Sequence, residues 1–356
     1  SRSGIDPQTI DEVVFGNGWQ AGVGPNPARL LSVNGGVPES VPAWTVNKRC
    51  GSSLKAIILG VQAIRAGDAD TILVGGVENT SRVPYILQNA RRGLGQGHKE
   101  FLDLTHKDGY VCGLTGEIMG STAETLSDQY VISRDEQDEF AFQSHRKALS
   151  ALEKGFFEEE IVKVPIDGGK KGPEILDADE IPRPDISLEK LGKLRPIFKK
   201  DGTVTAGNAC AQCDAASALL LMTHERASDL GIKPMAKIVG YASAGVDPKV
   251  MGIGPVPAVH KALEKSGLTL EQIELIEINE AFAAQVIAVE RELEWDRSRV
   301  NVHGGAIALG HPVGATGGKI TVTLLHALKR YNKSFGMVTL CIGGGQGVTI
   351  IFERLN

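Results

Sequence analysis

The chain reads as one α/β unit written twice. Gly4-Ile-Asp-Pro-Gln-Thr-Ile10-Asp-Glu-Val13-Val-Phe15 aligns with Gly267-Leu-Thr-Leu-Glu-Gln-Ile273-Glu-Leu-Ile276-Glu-Ile278. Each stretch predicts a glycine-closed helix end, a short polar turn and a buried strand. From Gly4 the chain reaches Cys50 after 46 positions, and from Gly267 it reaches His311 after 44. A helix follows each, Leu54 to Ala66 in one copy and Lys319 to Lys329 in the other. Then comes an apolar strand running into glycines, Thr71-Ile-Leu-Val-Gly-Gly and Met337-Val-Thr-Leu-Cys341-Ile-Gly-Gly-Gly. A repeat of this kind constrains the fold more than any composition figure. Strands alternating with helices imply a largely parallel, covered sheet in each half.

The second copy contains the most unusual stretch, Val300 to Gly318. Glycines 304, 305, 310, 314, 317 and 318 permit turns and close backbone approach. One titratable group, His311, stands near their centre, and Pro312 holds it extended. Ile320, Leu324, Leu325 and Leu328 then recur at helical spacing. The histidine is therefore delivered by a tight loop just ahead of a helix. Cys50 has the matching place in the first copy, at a helix start, where the helix dipole and the neighbouring Lys48 and Arg49 favour a thiolate.

Between the copies, residues 81–205 are richer in charge, with helical runs from Met119 to Tyr130 and Arg134 to Lys154. Glu174 to Pro196 reads as an exposed loop. We expect boundaries at 1–80 for the first half, 81–205 for an insertion, 206–232 for a return to the first half, and 233–356 for the second half. Ala215 to Met222 reads as an apolar helix, and Met235 to Val239 as the strand that opens the second half.

Composition narrows the function. A net charge of −5 gives no basic footprint for nucleic acid. No apolar run reaches the roughly 18 residues of a membrane span. The five cysteines, 50, 112, 210, 213 and 341, are odd in number and scattered. That pattern fits free thiols in a reducing compartment, so a cytoplasmic protein is expected.

Four motifs stand together in order: Asn47-Lys-Arg-Cys50-Gly-Ser-Ser-Leu-Lys-Ala, Asn279-Glu-Ala-Phe282-Ala, Gly310-His311-Pro-Val-Gly-Ala-Thr-Gly, and Cys341-Ile-Gly343-Gly-Gly-Gln-Gly. With Gln20-Ala-Gly-Val-Gly-Pro-Asn-Pro-Ala-Arg29, Ser133-Arg-Asp-Glu-Gln-Asp and Gly245-Val-Asp-Pro-Lys-Val-Met251-Gly, they resemble the thiolases over essentially the whole chain. The resemblance implies an α/β fold of duplicated βαβαβαββ halves, layered as an α-β-α-β-α sandwich, with an inserted CoA-binding loop domain. It implies Claisen chemistry on CoA thioesters, with acetyl-CoA, acetoacetyl-CoA and CoA as substrates and no cofactor or metal. It also implies a homodimer or homotetramer.

The chemistry suits the residue types. Acyl transfer between thiols needs a nucleophile that is also a leaving group, and Cys50 is both. His311 would be the base that ionises it. By resemblance, Cys341 removes the α-proton of the second thioester, and His311 with a water on Asn279 stabilises the enolate oxygen. The acyl-enzyme oxygen would meet the backbone N–H groups of Cys50 and Gly343. Arg183 falls at a CoA adenine contact, Cys210 at a CoA-contacting position usually held by serine, and Met119, Met251 and Phe282 beside the acyl and pantetheine chain. Cys210-Ala-Gln-Cys213 supplies too few ligands for a zinc site.

Ile118 stands where acetoacetyl-specific members often carry histidine, which leaves degradative cleavage of longer 3-ketoacyl thioesters as the alternative activity. A non-catalytic CoA or lipid binder is a further alternative, disfavoured because a binder needs no second base. By the repeat, the first half begins after its opening strand and helix. We expect that strand to belong inside the first sheet, so that its absence leaves either a slot or a natural protein that extends upstream of Ser1.

Overall fold

The computed structural model describes residues 3–167 and 172–355. In the first half, β1 (Glu12–Gly16) leads to helix α1 (Pro27–Asn34), β2 (Ala43–Val46), helix α2 (Ser52–Ala66) and β3 (Thr71–Glu78). The insertion holds β4 (Tyr85–Ile86), β5 (Leu102–Asp103), α3 (Met119–Gln129), α4 (Arg134–Glu153), β6 (Val164–Asp167), β7 (Pro173–Leu176) and α5 (Leu188–Gly192). The chain returns through β8 (Ala215–Met222) and α6 (His224–Asp229). The second half comprises β9 (Ala236–Gly245), α7 (Pro255–Ser266), β10 (Leu275–Ile278), α8 (Ala283–Leu293), α9 (Ala306–Leu309), α10 (Thr316–Arg330), β11 (Phe335–Ile342) and β12 (Gln346–Arg354).

The repeat is real in the backbone. Gly4 and Gly267 sit at φ +68° and +70°, the left-handed region glycine adopts without penalty. β1 pairs β3 in parallel with Val13 opposite Leu73, and β10 pairs β11 in parallel with Ile276 opposite Met337. The sheets run β2-β1-β3-β8 and β10-β11-β12-β9, and each ends its parallel run on an antiparallel neighbour, β8 or β12.

Five layers follow from the burial. Ile10, Val13, Phe15, Ala28 and Val41 form a core between α1 and the outer face of the first sheet. Between the sheets, Leu54 and Ile57 of α2 pack with Leu324 and Leu328 of α10, against Ile72, Val338 and Ile350. On the far face, Val259 and Ala262 of α7 and Val286 and Ile287 of α8 cover Ile276 and Met337, and Leu126 and Phe140 of the insertion join them. Each such aliphatic chain contributes roughly 1.5–3 kcal/mol through burial. A side chain on Gly317 would sit 2.6 Å from the Leu54 Cβ, so α2 and α10 run past each other at glycine distance.

Three expectations change. Ala215–Met222 is not a helix but the strand β8, paired antiparallel with β3 from Thr71↔Met222 to Glu78↔Ala215. A short apolar run fits either element, and the free edge of β3 decided it. Second, among the described residues the first sheet shows no slot: β3 and β8 pair directly. In the second half, the matching opening strand β9 lies at the sheet edge, paired with β12. By the repeat, the corresponding place is beside β8 and not inside the sheet. Third, the region from Glu174 to Pro196 is not all loop; β7 forms a hairpin with β6, and Ser187 caps α5 by accepting from Lys190 N.

Candidate active site

The site lies where the glycine loops of the two halves meet between the sheets. Cys50 directly precedes the Gly51 cap of α2, and the left-handed φ of +53° at Arg49 turns the chain into it. A non-glycine residue held there is strained by about 1–3 kcal/mol, a cost typical of functional turns. The Arg49 guanidinium donates to the carbonyls of Asp108 and Gly109, which ties the nucleophile's turn to the insertion.

Burial dominates the Cys50 thiol and pushes its pKa up, opposed by the Arg49 charge and the backbone N–H groups of Gly343 and Cys50. The lowered thiol pKa expected from the helix start is thus outweighed in the free protein. Such a thiol needs a base to ionise it. Gly343 brings its N–H to the sulfur, and a Cβ there would lie 3.3 Å from the Met119 sulfur.

His311 is 7 % exposed, and its backbone N–H donates to Ala211 O at 2.8 Å. Its Nδ1 lies 2.6 Å from Thr316 Oγ1. That hydroxyl already donates its single hydrogen to Pro312 O at 3.1 Å, so it accepts from Nδ1–H. The tautomer is thereby fixed, with Nε2 left as the proton acceptor. Burial, Lys319 and Arg49 lower the imidazole pKa to about 3, which keeps it neutral.

Cys341 is the penultimate residue of β11, 1 % exposed, packed with Ala123, Val204, Met251, Ala281 and Phe282, and with Met119 at the margin. Burial raises its thiol well above the ordinary value, with Cys50 and Cys210 adding to the rise. Cys210 donates its N–H to Ala281 O at 3.0 Å, and burial together with Cys50 and Cys213 pushes its thiol up to about 12. Asn279 is fully buried, and neither amide atom of its side chain has a protein partner among the described residues. An unpaired buried amide costs about 1–3 kcal/mol, so the site suits a water or a substrate oxygen there.

Cys50, His311, Cys341, Gly343, Met119, Met251, Phe282 and Cys210 therefore gather in one place. Arg183 stands apart from that cluster, exposed on the insertion, with its backbone N–H on His145 Nδ1 at 3.2 Å. Its neighbour Ile181 reaches within 2.6 Å of where a Gly310 Cβ would lie, beside the histidine loop. Among the described residues no group of three or more metal-ligating side chains is gathered.

Sequence reasoning missed the residues that hold this arrangement. Thr316 orients the imidazole. Glu78, 2 % exposed, accepts from Asn17 Nδ2, Gly18 N, Trp19 N and Gly314 N. Glu280 does the like for the second half, accepting from Asn301 Nδ2, Ser144 Oγ and Ile307 N. A lone acid closing an apolar strand, as in Gly75-Gly-Val-Glu78, was the available signal.

A thiol at a helix start, a neutral imidazole with a free acceptor nitrogen and a second thiol on an adjoining strand define an acyl-transfer site on a duplicated α/β fold. The chain belongs to the thiolase family: residues 1–225 match the family's N-terminal domain and residues 232–354 its C-terminal domain. It is 51% identical over 353 residues to the acetyl-CoA acetyltransferase of Pseudomonas aeruginosa, covering 99% of this chain and 90% of that protein. It is likewise 51% identical over 356 residues to the acetyl-CoA acetyltransferase of Escherichia coli, covering 100% of this chain and 90% of that one. Among solved structures it superposes on the Bacillus anthracis acetyl-CoA acetyltransferase with a TM-score of 0.96 at 45% identity, covering 99% of this chain and 89% of that one. It superposes on human mitochondrial 3-ketoacyl-CoA thiolase with a TM-score of 0.96 at 40% identity, with the same coverage.

Proposed function

We propose that this thiolase transfers acetyl groups through Cys50, converting two acetyl-CoA into acetoacetyl-CoA and CoA, and running the reverse cleavage. In the first half-reaction, His311 Nε2 takes the Cys50 proton. The thiolate then attacks the thioester carbonyl, and CoA leaves as its thiol with that proton. The N–H groups of Cys50 and Gly343 stabilise the carbonyl oxygen as it gains charge. In the second half-reaction, Cys341 first passes its own proton to His311 Nε2, and the resulting thiolate takes a proton from the α-carbon of a second acetyl-CoA. The enolate oxygen meets the Nε2–H so formed and a water on Asn279. The enolate carbon attacks the acetyl carbonyl on Cys50, and the Cys50 sulfur leaves as a thiolate that takes the Nε2 proton back, which restores both thiols and the neutral imidazole.

The observation that carries this reading is a half-buried Cys50 thiol close enough to the buried Cys341 thiol for their charges to interact, together with a buried neutral imidazole and a buried unpaired amide at Asn279. The test is CoA-dependent loss of acetoacetyl-CoA, with peptide mapping after a brief exposure to labelled acetyl-CoA. Label on Cys50, lost in Cys50→Ser, is expected. Label on Cys112 or Cys210 instead would defeat the assignment.

A longer-chain degradative activity is the second reading, favoured by Ile118. That half-buried residue precedes α3, next to Met119, and bridges Val111. CoA thioesters are substrates here and no cofactor is required. We further propose a homodimer or homotetramer, testable by sedimentation, and a cytoplasmic setting, supported by five free thiols.

A further inference from the structure

One buried carboxylate of the first half holds the histidine loop of the second. Glu78 Oε1 accepts from Asn17 Nδ2 at 2.9 Å and Trp19 N at 3.2 Å, and Oε2 from Gly18 N at 2.8 Å and Gly314 N at 2.7 Å. Three of these bonds stay inside the first half. The fourth crosses to a residue three positions beyond His311.

Gly314 is held at its other end too. Its carbonyl accepts from Ser53 N at 3.0 Å, in the first turn of the helix that follows Cys50. Ser53 Oγ in turn accepts from Gly318 N at 2.9 Å. Both ends of the Gly314 residue are thus gripped by the half that carries the nucleophile. Nothing larger than glycine fits, because a Cβ on Gly314 would lie 2.4 Å from Gly18 N and 2.7 Å from Asn17 Cα. Thr316, whose hydroxyl orients the imidazole, follows two residues later.

We propose that Glu78 is a positioning residue for acyl transfer: by tying Gly314 to the first half, it sets the placement of the His311 imidazole relative to the Cys50 thiol. Glu78 acts through the loop and touches no substrate. The proposal rests on the reading of Cys50 as nucleophile and His311 as its base. All four partners of the carboxylate are donors, so an amide in its place must turn an NH₂ toward an N–H. Misplacement of a reacting group by about 1 Å can cost up to about 100-fold.

The test is a double-mutant cycle read on Cys50 itself. Alkylation of Cys50 by iodoacetamide and its acetylation by acetyl-CoA are timed in four proteins: wild type, Glu78→Gln, His311→Ala and the double variant. Glu78→Gln should slow both reactions about tenfold in the wild-type background, with KM for acetyl-CoA changed by less than about twofold. In the His311→Ala background the same change should cost less than about twofold. Glu78→Asp, which keeps the charge but withdraws it by one methylene, should fall between wild type and Glu78→Gln. It also carries the cycle if the amide variant fails to fold. Equal losses in both backgrounds, or no loss in either, would overturn the proposal. If His311→Ala alone left alkylation unchanged, the base assignment would fall and the proposal with it, and absence of acetyl on wild-type Cys50 would separately defeat the nucleophile assignment.

Discussion

At matched positions the two halves reach across the centre of the molecule with different chemistry. Val13 and Ile276 correspond in the repeat, and their strand partners are Leu73 and Met337. Counting along β3 and β11, Glu78 therefore occupies the place of Ile342, and Val77 the place of Cys341. Glu78 holds the loop of the second half by a hydrogen bond to Gly314. Ile342 holds the turn of the first half by packing, its Cδ1 lying 2.5 Å from where a Cβ on Gly51 would be. One position earlier, the first half has an inert valine and the second half a buried thiol. A duplicated scaffold thus supplies equivalent places, and single side chains allot the roles.

The sharpest test of that asymmetry is Cys341→Ala, which makes the second half resemble the first in lacking a proton carrier there. General acid–base groups contribute about 10²- to 10⁴-fold, so condensation should fall by that order. Acetylation of Cys50 should survive, as burst labelling would show. Equal loss of both steps would place Cys341 in the framework.

The two cross-centre grips can be compared by adding one methyl group to each. Gly314→Ala meets backbone on the first-half side, which cannot move aside, whereas Gly51→Ala meets the flexible end of Ile342. Overpacking a well-filled site costs about 1–3 kcal/mol. We expect Gly314→Ala at or above the top of that range and Gly51→Ala near the bottom, measured by chemical denaturation. Similar costs would show that packing and the hydrogen-bonded grip are equally rigid.

Acid should find the second half and the insertion first. The first 80 residues contain no histidine, while burial lowers His311 to about 3 and His303 and His145 to about 4. Below about 6.5 the unfolded chain binds protons that these folded imidazoles refuse, so their contribution to stability falls as pH falls. Glu160, raised to about 7, and Glu78, Glu277 and Glu280, raised by burial, act oppositely down to the ordinary carboxyl range. Stability should therefore change little from pH 6.5 to about 4.5 and drop between about 4.5 and 3. Hydrogen exchange should show loops around His303 and His311 opening before β1 and β2. Earlier opening of the first sheet would reverse the comparison.

The smallest effect concerns Ile118. An alkyl wall in place of an imidazole should favour each added substrate methylene by about 0.8 kcal/mol or less, roughly fourfold. Comparing kcat/KM for C4, C6 and C8 3-ketoacyl-CoA measures it. A steep preference for C4 would mean that Ile118 does not widen the acyl end.

The sequence by itself determined the repeat, the two glycine-framed turns and the pairing of a cysteine with a histidine at equivalent places. These are local: glycine at a left-handed φ, a helix start after Cys50 and an apolar strand that carries Cys341 near its end each depend on a few adjacent residues. Only the tertiary structure decided the rest. Ala215–Met222 became a strand because β3 offered it an edge, a fact its own short apolar run does not contain. The histidine tautomer hangs on whether the Thr316 hydroxyl is already spent on Pro312. The Cys50 thiol was expected to be low from its helix start and is raised because burial outweighs the dipole and Arg49. Glu78 stayed illegible for the same reason: its decisive partner, Gly314, lies 236 positions away, and a hydrogen bond between such residues exists only once the two halves have closed on each other.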